Sequence, residues 1–124
     1  QFTRNIYRGT PQAFAGDAAA LALARAAIAS KQHRSLPAIH RVFLYLPLEH
    51  CEDLQVQEEC LELFTELADD LGADGMERVE GFARFAVAHR DVIARFGRFP
   101  HRNEILGRSS TAEELAYLQL HGGF

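Results

Sequence analysis

Apolar side chains recur along this chain at helical spacing, and nowhere do they alternate in the two-residue rhythm of a half-buried strand. Leu54, Leu61, Phe64, Ala68 and Leu71 follow the 3.6-residue period, and Leu63 and Leu67 widen the same face. Acids at 52, 53, 58, 59, 62, 66, 69 and 70 take the other side. This predicts an amphipathic helix over 52–71, stopped by Gly72. Val79, Phe82, Phe85, Ala86, Ile93 and Phe96 repeat the pattern over 77–96, before Gly97. Asp17 is the expected N-cap of an earlier helix over 17–31, where Ala20, Ala24, Ala27 and Ile28 make a stripe small enough for close approach. Pro37 suits the first turn of the next helix, with Ile39, Val42, Phe43 and Leu46 inward and Pro47 ending or kinking it. Thr111 with Glu114 three residues on is a capping-box pattern, predicting a last helix over 111–121. Residues 97–110 between them are irregular and rich in Arg. Helices joined by short turns predict an all-α fold of antiparallel neighbours; no strict 34-residue repeat consensus is present.

Composition narrows the class without naming an activity. A chain of 124 residues, 48% hydrophobic and 24% charged, is expected to form one globular domain, 1–124. No apolar run reaches the length of a membrane span. Cys51 and Cys60 are too few for a disulfide framework and point to a reducing, cytoplasmic setting. The opening Gln1-Phe2-Thr3-Arg4 is neither a start Met nor a signal peptide, so the chain is expected to begin inside a longer parent. The net charge of −4 argues against general nucleic-acid binding.

The charges are sorted along the chain. Residues 1–48 carry six basic side chains against one acid, 49–80 carry twelve acids against one Arg, and 81–108 carry six Arg against two acids. The acidic stretch reads as a solvated helix face. The Arg-rich stretches lie among Gly, Pro and aromatic residues, where that explanation fails.

Three segments carry candidate chemistry. In Arg4-Asn5-Ile6-Tyr7-Arg8, two arginines four apart would repel on one helix face unless both reach an anion or carboxylate. In Glu49-His50-Cys51-Glu52-Asp53, carboxylates, an imidazole and a thiol fall together, a setting for acid–base work by His50. Glu52 and Asp53 are also explained as dipole-complementing residues at the start of the long helix. No paired Cys or His spacing marks a metal site, and no motif indicates a cofactor. In the third segment, Arg90, Arg95, Arg98, Arg102 and Arg108 interleave with Phe96, Phe99 and His101, and His89 sits on an apolar stripe. Guanidinium groups are rarely buried unpaired. Either they pair with Glu49, Glu52, Asp53 and Asp91, or they line a pocket for carboxylate or phosphate.

Four strings carry a resemblance: RNIYRGTPQAFAGD (4–17), FLYLPLEHCEDLQVQE (43–58), AHRDVIARFGRFPHRNEILGR (88–108) and STAEELAYL (110–118). Over essentially the whole chain the sequence resembles the bacterial family known as domain of unknown function 924. The resemblance implies a tetratricopeptide-like, right-handed superhelical all-α fold. It implies that 1–124 is the C-terminal two-thirds of a longer domain, so that the first two helices expose apolar faces. It also implies a Ser in place of Cys51, which argues against a Cys nucleophile, and it brings no established activity.

Two function classes remain at the level of sequence. One is a helical-repeat-like interaction or scaffold module, with a protein partner, whose Arg, His and acid motifs are ion-pair locks. The other is a binder of a small anionic ligand, with His50, His89 and Glu49 as acid–base residues and Arg4, Arg8, Asp53, Arg98, His101, Arg102 and Asn103 as ligand-binding residues. Acyl and phosphoryl chemistry are both open to such a pocket. Either class predicts that 46–53 and 95–108 meet, because burying one without the other would strand unpaired charge.

Overall fold

The computed structural model describes residues 2–124, and among them only helices and turns form. The helices are α1 (Phe2–Ile6), α2 (Asp17–Ala29), α3 (Ala38–Glu49), α4 (Leu54–Leu71), α5 (Gly75–Phe96) and α6 (Ala112–His121). Single 3-10 turns interrupt the connections at Pro11–Phe14, Gln32–Ser35 and Pro100–Arg102.

Helices α3, α4 and α5 are antiparallel neighbours, as the order of their contacts shows. Arg41 near the start of α3 pairs with Asp70 near the end of α4, while Leu48 at the other end of α3 accepts from Gln57 near the start of α4. Arg90 late in α5 pairs with Glu58 early in α4. The turn between α4 and α5 is held very close: a Cβ on Gly75 would lie 1.8 Å from the Ala68 carbonyl oxygen, so only glycine lets α5 start there.

The core lies between these three helices and α2. Tyr45, Leu48, Cys60, Phe64, Leu67 and Ala86 are among its buried apolar members, and Ala24 of α2 packs in the same cluster. A smaller cluster of Val92, Ile93 and Phe99, with Phe96 and Tyr117 against it, fastens α6 and the 97–110 segment to the end of α5. Gly97, in the left-handed region at φ 73°, ends α5 and turns the chain back.

Four local expectations are corrected by tertiary packing. Gly16, not Asp17, is the N-cap of α2, because the Asp17 carboxylate is taken up by Arg4. The buried stripe of α3 is Val42, Tyr45 and Leu48; Ile39 and Phe43 face solvent. Pro47 does not end α3, which runs on to Glu49 and lacks one N–H donor at that proline. Phe82 and Phe85 of α5, expected inward, stand exposed along the mouth of a cavity.

Candidate functional site

The C-terminal end of α3 is the pivot of the site. The last carbonyls of a helix have no partner inside it. Here the buried Gln57 side chain of α4 donates to the carbonyls of Glu49 at 2.6 Å and Cys51 at 2.8 Å. Arg102 donates to the His50 carbonyl at 2.9 Å. Glu49 and His50 are thus held on a fixed backbone. Asp53, next along, accepts from the N–H groups of Gln55 and Val56 and caps α4.

The 46–53 and 95–108 segments do meet. Glu52 accepts from the Phe99 N–H at 2.7 Å and from both terminal nitrogens of Arg108 at 2.9 and 3.0 Å. Burial alone would raise the Glu52 carboxyl, but Arg108 and the Phe99 N–H hold it below its usual value. Glu114 is the centre of a second lock. Buried at 2% exposure, it accepts from Arg98 at 2.9 and 2.8 Å, from Asn103 at 3.1 Å and from the Thr111 N–H at 3.0 Å. Arg98 above all draws its pKa down to about 2.

A cavity of about 400 Å³ opens beside the end of α3. Its polar lining is Arg4, Glu49, His50, His89, His101 and Arg102; Val42, Leu46, Phe64, Phe82, Phe85 and Phe124 supply the apolar walls. A second chamber of about 480 Å³ shares Arg4, Leu46, His50, His101 and Phe124 with the first and adds Arg8 and Phe14. The two adjoin, with Phe124 in the lining of both.

Within it His89 is fixed by two acceptors. Its Nδ1 lies 2.7 Å from the Phe85 carbonyl and 3.2 Å from Glu49 Oε1. Both partners accept, so in the neutral ring the proton resides on Nδ1 and Nε2 carries the lone pair. Nε2 has no protein partner among the described residues. Glu49 is itself buried, at 4% exposure.

The imidazoles of His50 and His101 are kept neutral. Burial, then the charges of Arg4, His89 and Arg102, pushes His50 down to about 4. Burial, then Arg102 and His89, does the same to His101. Arg102 is 5% exposed and its guanidinium carbon lies over two rings, 4.7 Å from the Phe14 centroid and 4.6 Å from that of Phe99. Its nearest carboxylate, Glu52, is 3.9 Å away and already serves Arg108, and its Nε has no hydrogen-bond partner among the described residues. Burial and Arg4 push its pKa down to about 10, so it stays charged at neutral pH.

Of the residues singled out in the sequence, Arg4, Glu49, His50, His89, His101 and Arg102 therefore converge on one cavity, and Arg8 lines the adjoining chamber. Asp53, Arg98 and Asn103 do not. Asp53 is occupied as a cap and the other two by Glu114, leaving no free donor fork toward the cavity. Arg4 is only partly available, since Asp17 takes its Nε and one Nη. The sequence reading missed the aromatic members. Phe82 and Phe85 follow the apolar stripe and so read as core, and nothing local marks Phe14 or Phe124 as a wall. Among the described residues no cluster of three or more His, Cys, Asp or Glu is arranged to hold a metal, and no helix is long and apolar enough to cross a membrane.

Residues 1–122 match a family described as bacterial protein of unknown function (DUF924). The chain is also similar to the solved structure of a protein of unknown function from Agrobacterium tumefaciens, at 39% identity and a TM-score of 0.82. That match takes in 97% of this chain and 62% of the other, so the chain spans under two thirds of its relative's length. No curated protein matches.

Proposed function

The chain belongs to the bacterial DUF924 family, and from that premise we propose that its central cavity binds a small anion, a carboxylate or phosphate. Arg102 provides the main charge, Arg4, Arg8, His50 and His101 assist, and the Glu49–His89 pair is the acid–base group. The observation that carries this is Arg102. A buried guanidinium without a dedicated carboxylate is costly, and this one lines a cavity next to two imidazoles that burial, aided by the neighbouring positive charges, holds neutral. An anion there supplies the missing partner and takes hydrogen bonds from the neutral rings. His89 Nε2, its tautomer set by Glu49 and the Phe85 carbonyl, is the atom that accepts a proton from the ligand. The two free thiols agree with a reducing, cytoplasmic setting.

The test is calorimetric titration with inorganic phosphate and with acetate on wild type and Arg102→Met. One of the anions is expected to bind, and Arg102→Met is expected to weaken it by about tenfold or more. Arg8→Ala, at an exposed position, repeats the comparison without touching the core. Absence of binding to either anion, or wild-type affinity in both variants, overturns the reading.

A second reading, an interaction or scaffold module, is favoured by the exposed apolar side chains of α2 and α3, Phe43 at 60% and Leu23 at 74% exposure. It predicts self-association or partner capture that Phe43→Ser abolishes, seen by light scattering, with no anion binding.

A further inference from the structure

The ring of Phe124 lies on the face of His89, 3.8 Å between centroids and 15° from parallel. It also meets Phe99 and His101 edge-on, each at 5.9 Å. This is the geometry of a bound aromatic ligand in a three-sided aromatic box. The segment that delivers the ring is held by little else. Gly122 ends α6 in the left-handed half of backbone space at φ 68°, and residues 122–124 have no regular structure. Among the described residues, Gly123 and Phe124 make no hydrogen bond. Gly123 also passes so near His101 that a Cβ on it would sit 2.8 Å from the His101 Cβ. Phe124 remains 50% exposed even when docked, and it forms part of the lining of both chambers.

We propose that Phe124 occupies an aryl subsite of the anion pocket, and that the ligand is an aromatic acid whose flat ring displaces Phe124 from His89 while its carboxylate or phosphate reaches the Arg102 side. The inference rests on the anion-binding reading and adds the class of ligand to it. Three observations support the ring. His89 offers a stacking face beside its free Nε2. The walls beyond it, Phe64, Phe82 and Phe85, are aromatic. The protein's own occupant is a ring held by stacking without hydrogen bonds, which a ligand with both a ring and a charge can outbid. Displacing it joins the two chambers, giving room for ring and anion together.

The experiment compares phenyl phosphate with inorganic phosphate, and benzoate with acetate, on wild type, Phe124→Ala and Gly123→Ala. Phe124→Ala removes the internal competitor; Gly123→Ala expels the segment by its clash with His101 and leaves the ring intact. Both variants are expected to bind the aryl anion about three- to tenfold more tightly than wild type, a larger gain than for the matching simple anion. In wild type, the aryl anion is expected to quench or shift the Phe124 ring resonances in an NMR titration. If the simple anions bind through Arg102 but the aryl forms bind no better in either variant, the aryl subsite is wrong and the anion pocket stands. If neither simple nor aryl anions bind, both readings fall.

Discussion

Glu49 Oε1 lies 3.2 Å from His89 Nδ1, joining the buried end of α3 to the last third of the longest helix. The contact fixes which imidazole nitrogen faces the cavity, and the sequence separation of forty residues made it invisible to local pattern.

Replacing Glu49 with Ala leaves the Nδ1–H with the Phe85 carbonyl alone and opens a small void. The expected cost is about 1–3 kcal/mol, read from urea unfolding. In the wild type, nitrogen chemical shifts of His89 are expected to report the Nδ1–H tautomer; a population of the Nε2–H form would contradict the geometry.

Arg98 and Arg102 are four residues apart and are expected to separate cleanly by experiment. Arg98→Ala strips the buried Glu114 of its strongest partner, so it lowers the unfolding midpoint. Anion affinity should stay within about twofold, the two sites being independent. Arg102→Met does the reverse on affinity. Loss of affinity in Arg98→Ala at unchanged stability would return Arg98 to the pocket.

Gly75→Ala places a methyl group against the Ala68 carbonyl oxygen. The turn between α4 and α5 must then open, at a cost on the order of 3 kcal/mol. Gly81→Ala is the control: a Cβ there meets nothing, and in mid-helix it should stabilise by about 0.5–1 kcal/mol. Thermal midpoints of the two variants should move in opposite directions.

Acid should weaken the fold in two steps. His50 and His101 titrate at about 4 in the folded protein against an ordinary 6.5. Between those values the unfolded chain binds protons that the folded one does not. Stability therefore falls as pH drops from about 6.5 to about 4, by roughly 2–4 kcal/mol for the two rings after allowance for their partial exposure. Glu114, held at about 2 against an ordinary 4.5, contributes stability that is lost between those values. Bound phosphate should flatten the first step, because it favours the charged rings. Urea midpoints measured from pH 7.5 to 3 check both steps, and a His50→Phe, His101→Leu variant should lack the first.

The sequence by itself determined the five longer helices and the chemistry on offer. The 3.6-residue apolar period of 54–71 and the Thr111–Glu114 capping box are local signals, read within one or two turns, and both stand in the structure. The excess of acid in one segment and of Arg in another required the two to meet, since neither is buried cheaply alone. Which Arg became a lock and which a cavity wall was beyond local reading. Arg98 and Arg102 share residue type and surroundings in the sequence, and only the docking of α6 puts Glu114 beside the first and leaves the second between Phe14 and Phe99. Phe82 and Phe85 obey the helical period as core residues do, yet they stand exposed in the lining of a cavity, because among the described residues no neighbouring helix covers that turn of α5. Periodicity states which face of a helix is apolar; whether that face meets a protein neighbour or an open pocket is decided by where the other helices pack.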